Sequence, residues 1–357
     1  MISVAKPMLG GEEEAAVLEV LRSGQIAQGA RVQQFEEQFA AEIGAKIAVA
    51  SSSGTASLHL SLLALGIGPG DEVITSPFTF IASANAALYV GAMPVFADID
   101  PRTYNINPAD VAAKITSRTR AILPVHLYGN PADMQALCAI AERHGLHMIE
   151  DAAQAASAAI NGKPVGTFGL GNFSLYPTKN ITSVEGGMLT TDNEDLAERV
   201  RRLRSHGQSE RYRHEILGYN LRMTDIHAAV GLAQLHRLAE FTGKRRANAR
   251  YLDEGLSGAL EIPYVAPGYT HVYHQYTVRI PNGRRDAVAA GLRERGVGTG
   301  VHYPLCVHQQ PLYVERGYHD SLPEAEKAAR EVLCLPVHPA LTEQDLETIV
   351  REVRALC

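Results

Sequence analysis

The sequence has no run of eighteen apolar residues, about the length a helix needs to cross a bilayer. Its first ten residues, MISVAKPMLG, lack the apolar stretch of a secretory signal. Cysteine is scarce. Cys138, Cys306, Cys334 and Cys357 lie far apart with no CxxC pair, a spacing that suits neither a disulfide framework nor a metal site. Basic charge is not in excess: 33 Lys and Arg against 39 Asp and Glu give a net charge of −6, the wrong sign for a general nucleic-acid surface. No low-complexity tract or repeat occurs. What remains is a chain of 357 residues, 46% hydrophobic and 20% charged, enough for about two domains. The expectation is a soluble cytoplasmic enzyme with neither membrane nor nucleic acid as a partner.

Between residues 46 and 192, short β-branched runs alternate with helical stretches. Ile47–Ala50, Glu72–Ile74, Pro94–Ala97, Ala121–Val125 and His147–Glu150 read as strands. Leu58, Leu62 and Leu65 form the stripe of one helix, which the glycines of GIGPG end. Met134, Leu137 and Ala141 form another, with Pro131 expected in its first turn. Such alternation predicts an α/β fold with a mostly parallel sheet flanked by helices, its ligand site at the carboxyl ends of the strands. Beyond Asn193, helices are expected at Leu196–Leu203, Asp225–Leu238, Arg285–Arg295, 323–333 and 343–356, the last capped by Thr342 and Asp345. Strands are expected at Val272–Ile280 and Val297–Tyr303. The division read from this pattern is a large domain over 1–245, with an N-terminal arm, and a smaller C-terminal α+β domain over 246–357.

Three groups fall where strands should end. Ser52-Ser53-Gly54-Thr55 is a small polar strand-to-helix turn, whose free N–H groups and helix dipole suit a phosphate. Alone, such a turn is more often an ordinary N-cap. Glu150 and Asp151 follow an apolar run, with Gln154 close behind. One acid would suit a cationic ring nitrogen; both equally read as N-cap and salt-bridge acids. Lys179 stands in a Tyr176-Pro177-Thr178-Lys179-Asn180 turn between two apolar strand-like segments. Such a lysine is usually solvated, but desolvation there would free its lone pair for Schiff-base chemistry. In this order, a phosphate turn, an acid and a lysine describe a site for pyridoxal phosphate, whose protonated ring acts as an electron sink.

The landmarks SGTASLHLSLLALGIGPGDEVIT, VFADIDPRTYNI, PVHLYGNPADM, IEDAAQA, YPTKNITSVEGGMLTTD, LGYNLRMTDIHAAVGLAQL and VHYP come in order between Ser53 and Pro304, and the likeness they carry runs from Lys6-Pro7 through at least His308. In these the sequence resembles the DegT/DnrJ/EryC1/StrS family of sugar aminotransferases, which have the aspartate-aminotransferase fold (fold type I). The resemblance implies that Lys179 links to the cofactor and shuttles the proton, that Asp151 pairs with the pyridine nitrogen, and that Gln154 contacts the ring-hydroxyl side. It implies that Ser53, Gly54, Thr55 and Ser174 hold the phosphate and that Phe80 stacks on the ring. Asn220 would reach the phosphate of a neighbouring subunit, making the working unit a homodimer with shared sites. Substrate contacts are expected from His302, Tyr303 and Tyr176, with Arg222 and Arg211 as anion contacts. His302 and His308 could be mistaken for metal ligands, but no acid or cysteine shares a site spacing with them, and no metal is expected.

The implied reaction is ping-pong: L-glutamate gives up its amino group and leaves as 2-oxoglutarate, and a keto group on a nucleotide-linked sugar then accepts the nitrogen. KNITSVEGG resembles the versions acting at C4 of a 4-keto-6-deoxyhexose. C3-keto sugars and keto-cyclitols stay open as acceptors, and a non-catalytic regulator that binds pyridoxal phosphate is a remote alternative. Lys179 argues against the dehydratase offshoot, which has histidine there. The chain departs from the family at Gln25-Ile26, where an aromatic residue is common after Ser-Gly, and at Ala156-Ser157, where the family commonly has His-Gly.

Overall fold

The computed structural model describes residues 1–357. Its centre is a seven-stranded sheet of β1 (Ile47–Ser51), β2 (Glu72–Thr75), β3 (Met93–Phe96), β4 (Thr119–Leu123), β5 (His147–Asp151), β6 (Leu170–Ser174) and β7 (Gly187–Thr191). The strands lie in the order β1-β7-β6-β5-β4-β2-β3. Every pairing from β6 to β3 is parallel, and β7 alone runs antiparallel to its two neighbours. The expected mostly parallel sheet is therefore present. Helices cover it, so β2 and β7 are buried at every residue, including Glu72 at the start of β2, whose carboxylate pairs with Arg118.

The helices that matter for the site are α1 (Gly11–Ser23), α2 (Ala30–Ile43), α3 (Gly54–Ala64), α4 (Met134–His144), α5 (Glu194–Arg204), α6 (Asp225–His236), α7 (Leu238–Leu256), α8 (Arg285–Glu294), α9 (Pro323–Glu331) and α10 (Glu343–Leu356). Around α3, burial extends well beyond the Leu58/Leu62 stripe to Ala56, Ser57, Leu60, Ser61 and Ala64, because the helix is packed between the sheet, α5 and the helix Ala82–Tyr89. Pro131 lies outside α4, whose N-cap is Asp133, accepting the Ala136 N–H at 3.0 Å. Helices α1 and α2 lie in a stretch with no predicted element. Asp225, at the start of α6, accepts the N–H groups of Gly29 (2.8 Å) and Val32 (3.1 Å) and so holds α2 in place.

The C-terminal region is an α+β layer around the antiparallel pair β8 (Tyr276–Arg279) and β9 (Val332–Leu335). The capping box of Thr342 and Asp345 forms as expected. The strand predicted over Val272–Ile280 is confined to β8, because Tyr273 turns into the left-handed region (φ 46°) and breaks the extended run. No strand forms over Val297–Tyr303. Only isolated bridges from Val297 to Ile2 and from Gly300 to Cys334 occur. The helix expected to reach residue 333 stops at Glu331, and the chain turns extended into β9.

Helix α7 is continuous through residues 245 and 246. Its Phe241 packs in the core under β1 and β7, while Ala249, Leu252 and Leu256 pack with Tyr276, Leu333 and Ile349. No helix is long and apolar enough to cross a membrane.

Candidate active site

Strand β1 ends in the turn that starts α3. Ser53 is extended (φ −167°), and its Oγ accepts the Ala56 N–H at 3.1 Å, so the N-cap reading holds. Ser57 is the first residue to bond back along the helix, to Ser53 O at 3.0 Å. The N–H groups of Gly54 and Thr55 precede it and have no helical acceptor. A Cβ on Gly54 would stand 2.8 Å from Ser174 Cβ, and one on Gly187 would stand 2.2 Å from Ser53 O. Space, rather than backbone angle, thus requires glycine at both positions. The start of α3 and the ends of β6 and β7 meet there in a cradle of N–H and hydroxyl groups fit for an anion.

The acid pair divides because successive strand residues face opposite sides. Glu150 is fully buried beneath the sheet, where it accepts the N–H groups of Gly166 (2.8 Å), Phe168 (2.7 Å) and Gly169 (3.0 Å). His126 completes that shell. Its Nδ1 accepts the Ala132 N–H, which leaves Nε2 to donate to Glu150 at 3.2 Å. Asp151 faces the other way, into a cavity. Its Oδ2 accepts the Ser83 hydroxyl at 2.7 Å and its Oδ1 the Ala153 N–H at 3.1 Å. Gln154 accepts the Tyr128 N–H at 2.6 Å and donates to the Tyr303 hydroxyl at 3.2 Å.

Lys179 follows β6 and is partly buried. Loss of hydration pulls its ammonium pKa down from 10.5 to about 8, against the opposing pull of the Asp151 charge. It shares a cavity of about 570 Å³ with Asp151, Gln154 and Phe80. Ser53, Gly54, Thr55 and Ser174 line the same space, as do Tyr176, His302 and Tyr303. Phe80 is 57% exposed, its ring 6.2 Å from that of Tyr303. A larger groove, about 810 Å³ between α2 and Arg201, contains none of these groups.

Three expected residues lie outside the cavity of the protomer. Asn220 and Arg222 are exposed and bonded to each other at 3.1 Å, and Arg211 sits on an exposed hairpin against the ring of Tyr212. The two departures from the family also miss the cavity wall. Ile26 is exposed, and Ser157 takes a left-handed φ of 68°, a conformation that glycine adopts freely. Ser83, His274 and Gln275 complete the site without any local signal. Ser83 lies on a helix of small residues, and the other two fall in the broken strand.

The donor set fits pyridoxal phosphate: an anion cradle at a helix start, a hydrogen-bonded carboxylate and a lysine of depressed pKa surround one cavity. Comparison with known proteins agrees. The chain is 45% identical over 342 residues to the pleiotropic regulatory protein of Geobacillus stearothermophilus, covering 94% of this chain and 91% of that one. It is 44% identical over 322 residues to UDP-N-acetyl-3-dehydro-alpha-D-glucosamine 3-aminotransferase of Acidithiobacillus ferrooxidans, covering 89% and 86%. The structure of NtdA from Bacillus subtilis with bound cofactor PMP superposes with a TM-score of 0.91 at 32% identity, over 98% of this chain and 82% of that one. The model of the DegT/DnrJ/EryC1/StrS aminotransferase family matches residues 7–354. The chain belongs to that family, as a pyridoxal-phosphate-dependent aminotransferase of sugar substrates.

Proposed function

We propose that this enzyme moves an amino group from L-glutamate to the C4 keto group of a nucleotide-linked 4-keto-6-deoxyhexose. The observation that carries the catalytic part is Lys179, an amine of lowered pKa in one cavity with Asp151 and the anion cradle. KNITSVEGG, which places Glu185 on the cavity wall, supports the C4 assignment. The relative whose name specifies a 3-aminotransferase favours a second reading, transfer to a C3 keto group. A keto-cyclitol acceptor is a further outcome of the same screen. A non-catalytic regulator fits poorly, since it predicts loss of Lys179 or Asp151 and both line the cavity.

Bound pyridoxal phosphate supplies an electron sink for negative charge on the substrate carbon. The protein's own groups do the rest. Ser53, Gly54, Thr55 and Ser174 hold the phosphate, Asp151 keeps the ring nitrogen protonated, and Ser83 orients Asp151 by its hydrogen bond. Phe80 covers one face of the ring, and Gln154 lies at the hydroxyl side. Lys179 Nζ takes the proton from the substrate carbon and returns it, in both half-reactions. Tyr176, His302 and Tyr303 form the wall that meets the sugar. Asn220, Arg222 and Arg211 serve the site of a second copy, so the working unit is a homodimer. We assign residues 1–245 to the cofactor domain and 246–357 to the small domain, joined through α7. Four unpaired cysteines suit a reducing cytoplasm.

The first test is the visible absorption spectrum of the purified protein before and after L-glutamate. A yellow colour that bleaches with glutamate and is missing from Lys179→Ala supports the donor half-reaction. No colour after incubation with pyridoxal phosphate overturns the assignment of the site. Turnover of a nucleotide 4-keto-6-deoxysugar, a 3-keto sugar and a ketoinositol, compared side by side, then decides the acceptor.

A further inference from the structure

The segment His271–Gln275 lies between α7 and the turn of Lys179, and its main chain is held from three sides. Asn180, the neighbour of Lys179, donates to Val272 O at 3.1 Å. From α7, Arg245 donates to Tyr273 O at 3.1 Å and to His274 O at 3.2 Å. The N–H groups of Val272 and Gln275 donate to Gly129 O (3.0 Å) and Tyr128 O (3.2 Å). Tyr273 is held in the left-handed region at φ 46°; its N–H donates to His271 Nδ1 at 2.8 Å, and the two rings stack at 4.0 Å. A bulky residue persists in that conformation only where its surroundings over-determine it. The result is that His274 is presented on the wall of the cavity that holds Lys179.

Two groups here are chemically unusual. Arg245 is 5% exposed, bonds only to main-chain carbonyls, and leaves Nε without a partner. Burial pulls its pKa down to about 10, so it is still charged at neutral pH. A buried guanidinium without a carboxylate is expensive, and its position calls for a reason. His274 is 8% exposed, and its Nδ1 has no hydrogen-bond partner.

We propose that Arg245 and His274 are positioning residues for Lys179: the guanidinium fixes the 273–274 main chain, and the imidazole so placed offers Lys179 Nζ a hydrogen-bond acceptor whenever that amine carries the extra proton. This rests on the reading of Lys179 as the acid–base amine. Burial first, then the charges of Lys179 and Arg245, holds His274 well below the usual histidine range, so it stays neutral and keeps a lone pair. Around Lys179, Asp151 is assigned to the ring nitrogen. His302 is likewise held down by burial and by Lys179 itself. Among these neighbours, His274 combines burial, neutrality and an unclaimed nitrogen.

The test compares wild type with His274→Phe, Arg245→Met, the double variant and Arg245→Lys. The protonation midpoint of Lys179 is read in the apoenzyme from the pH dependence of its acetylation, and kcat and KM for L-glutamate are read in the holoenzyme. Removing an acceptor from the ammonium should lower the midpoint of about 8 by about one pH unit in His274→Phe. kcat should fall about 100-fold with KM changed by less than about threefold, since the loss is of geometry at the reacting amine. Arg245→Met should show a similar loss of kcat, the double variant should be no worse than either, and Arg245→Lys should recover part of it. If Arg245→Met does not fold, His274→Gln against His274→Leu makes the same comparison, glutamine keeping the midpoint and leucine losing it. An unmoved midpoint in a folded His274→Phe or His274→Leu, or additive losses in the double variant, overturns the proposal. If wild type never takes nitrogen from glutamate yet the midpoint still follows His274, only the functional reading fails.

Discussion

Replacing Gly54 with alanine tests whether the start of α3 is the phosphate cradle. The backbone at Gly54 lies outside the left-handed region, so the substitution acts through space alone. The new Cβ would stand 2.8 Å from Ser174 Cβ, 3.1 Å from Ser174 Cα and 3.3 Å from Phe173 O, where ordinary contact begins at 3.4 Å; the closest pair falls about 0.6 Å short. None of these atoms is the loose end of a long side chain. Ser174 is fixed in β6, paired with Gly187 in β7, and Gly187 is itself pressed against Ser53 O. Relief therefore comes by moving the start of α3 away from the end of β6, and the Gly54 and Thr55 N–H groups no longer converge with Ser174. Overpacking of this kind costs about 1–3 kcal/mol. Loss of one hydrogen bond to a charged group is worth about 1.5–3 kcal/mol, or roughly 10- to 100-fold in affinity. Titration of the apoenzyme with pyridoxal phosphate, followed by absorption, should show a dissociation constant raised by that factor. Gly11→Ala is the control, because nothing lies within 4 Å of its Cβ. A Gly54→Ala protein that binds the cofactor within about twofold of wild type and melts normally would refute the steric argument. One that melts lower but binds normally would keep the argument and move the phosphate elsewhere.

Covalent capture of pyridoxal phosphate by the apoenzyme should rise with pH around a midpoint near 8 rather than 10.5; at pH 7.5 that leaves about a quarter of the amines neutral, against about one in a thousand for an ordinary lysine. A midpoint near 10.5 would contradict the burial of Lys179. Its folded-state pKa is depressed, so the charged form fits the fold poorly. That penalty is full below pH 8 and fades as pH rises to 10.5. Lys179→Met should accordingly raise the urea midpoint of the apoenzyme at pH 7 and raise it less at pH 10. Glu150→Gln places an amide among three N–H donors and should cost about 2–4 kcal/mol in urea unfolding; unchanged stability would argue against that shell. Coexpressed Lys179→Ala and Asn220→Ala subunits, each inactive alone, should regain partial activity if sites are shared, and no recovery would place Asn220 elsewhere.

The legible parts of this protein are those set by neighbours in sequence. The strands from β1 to β5 announce themselves as short apolar runs, and the Ser53 cap, the acid pair and the lysine turn sit where those runs stop. Two segments depart from their local pattern for tertiary reasons. The run Val272–Ile280 has the composition of a strand, but Tyr273 gives up extended geometry to its bonds with His271 and Arg245. Val297–Tyr303 finds no partner strand beyond single bridges. Helix α7 is not legible in the sequence because its stripe serves two cores, Phe241 to one and Leu252 to the other, so no single periodic face stands out.

By itself the sequence determined a parallel α/β chain whose phosphate turn, acid and lysine come in that order, because strand periodicity and the residues at strand ends are local properties. Only the tertiary structure decided that Asp151 enters the cavity while Glu150 is spent on Gly166, Phe168, Gly169 and His126. It also decided the depressed pKa of Lys179, the placing of Ser83 and His274 on the wall of its cavity, and the bonds of Arg245 to the main chain of Tyr273 and His274. Desolvation and hydrogen bonding depend on which distant segments close over a group. Arg245 lies 66 positions from Lys179 in the chain, and no local pattern records that folding brings its helix behind the lysine's cavity.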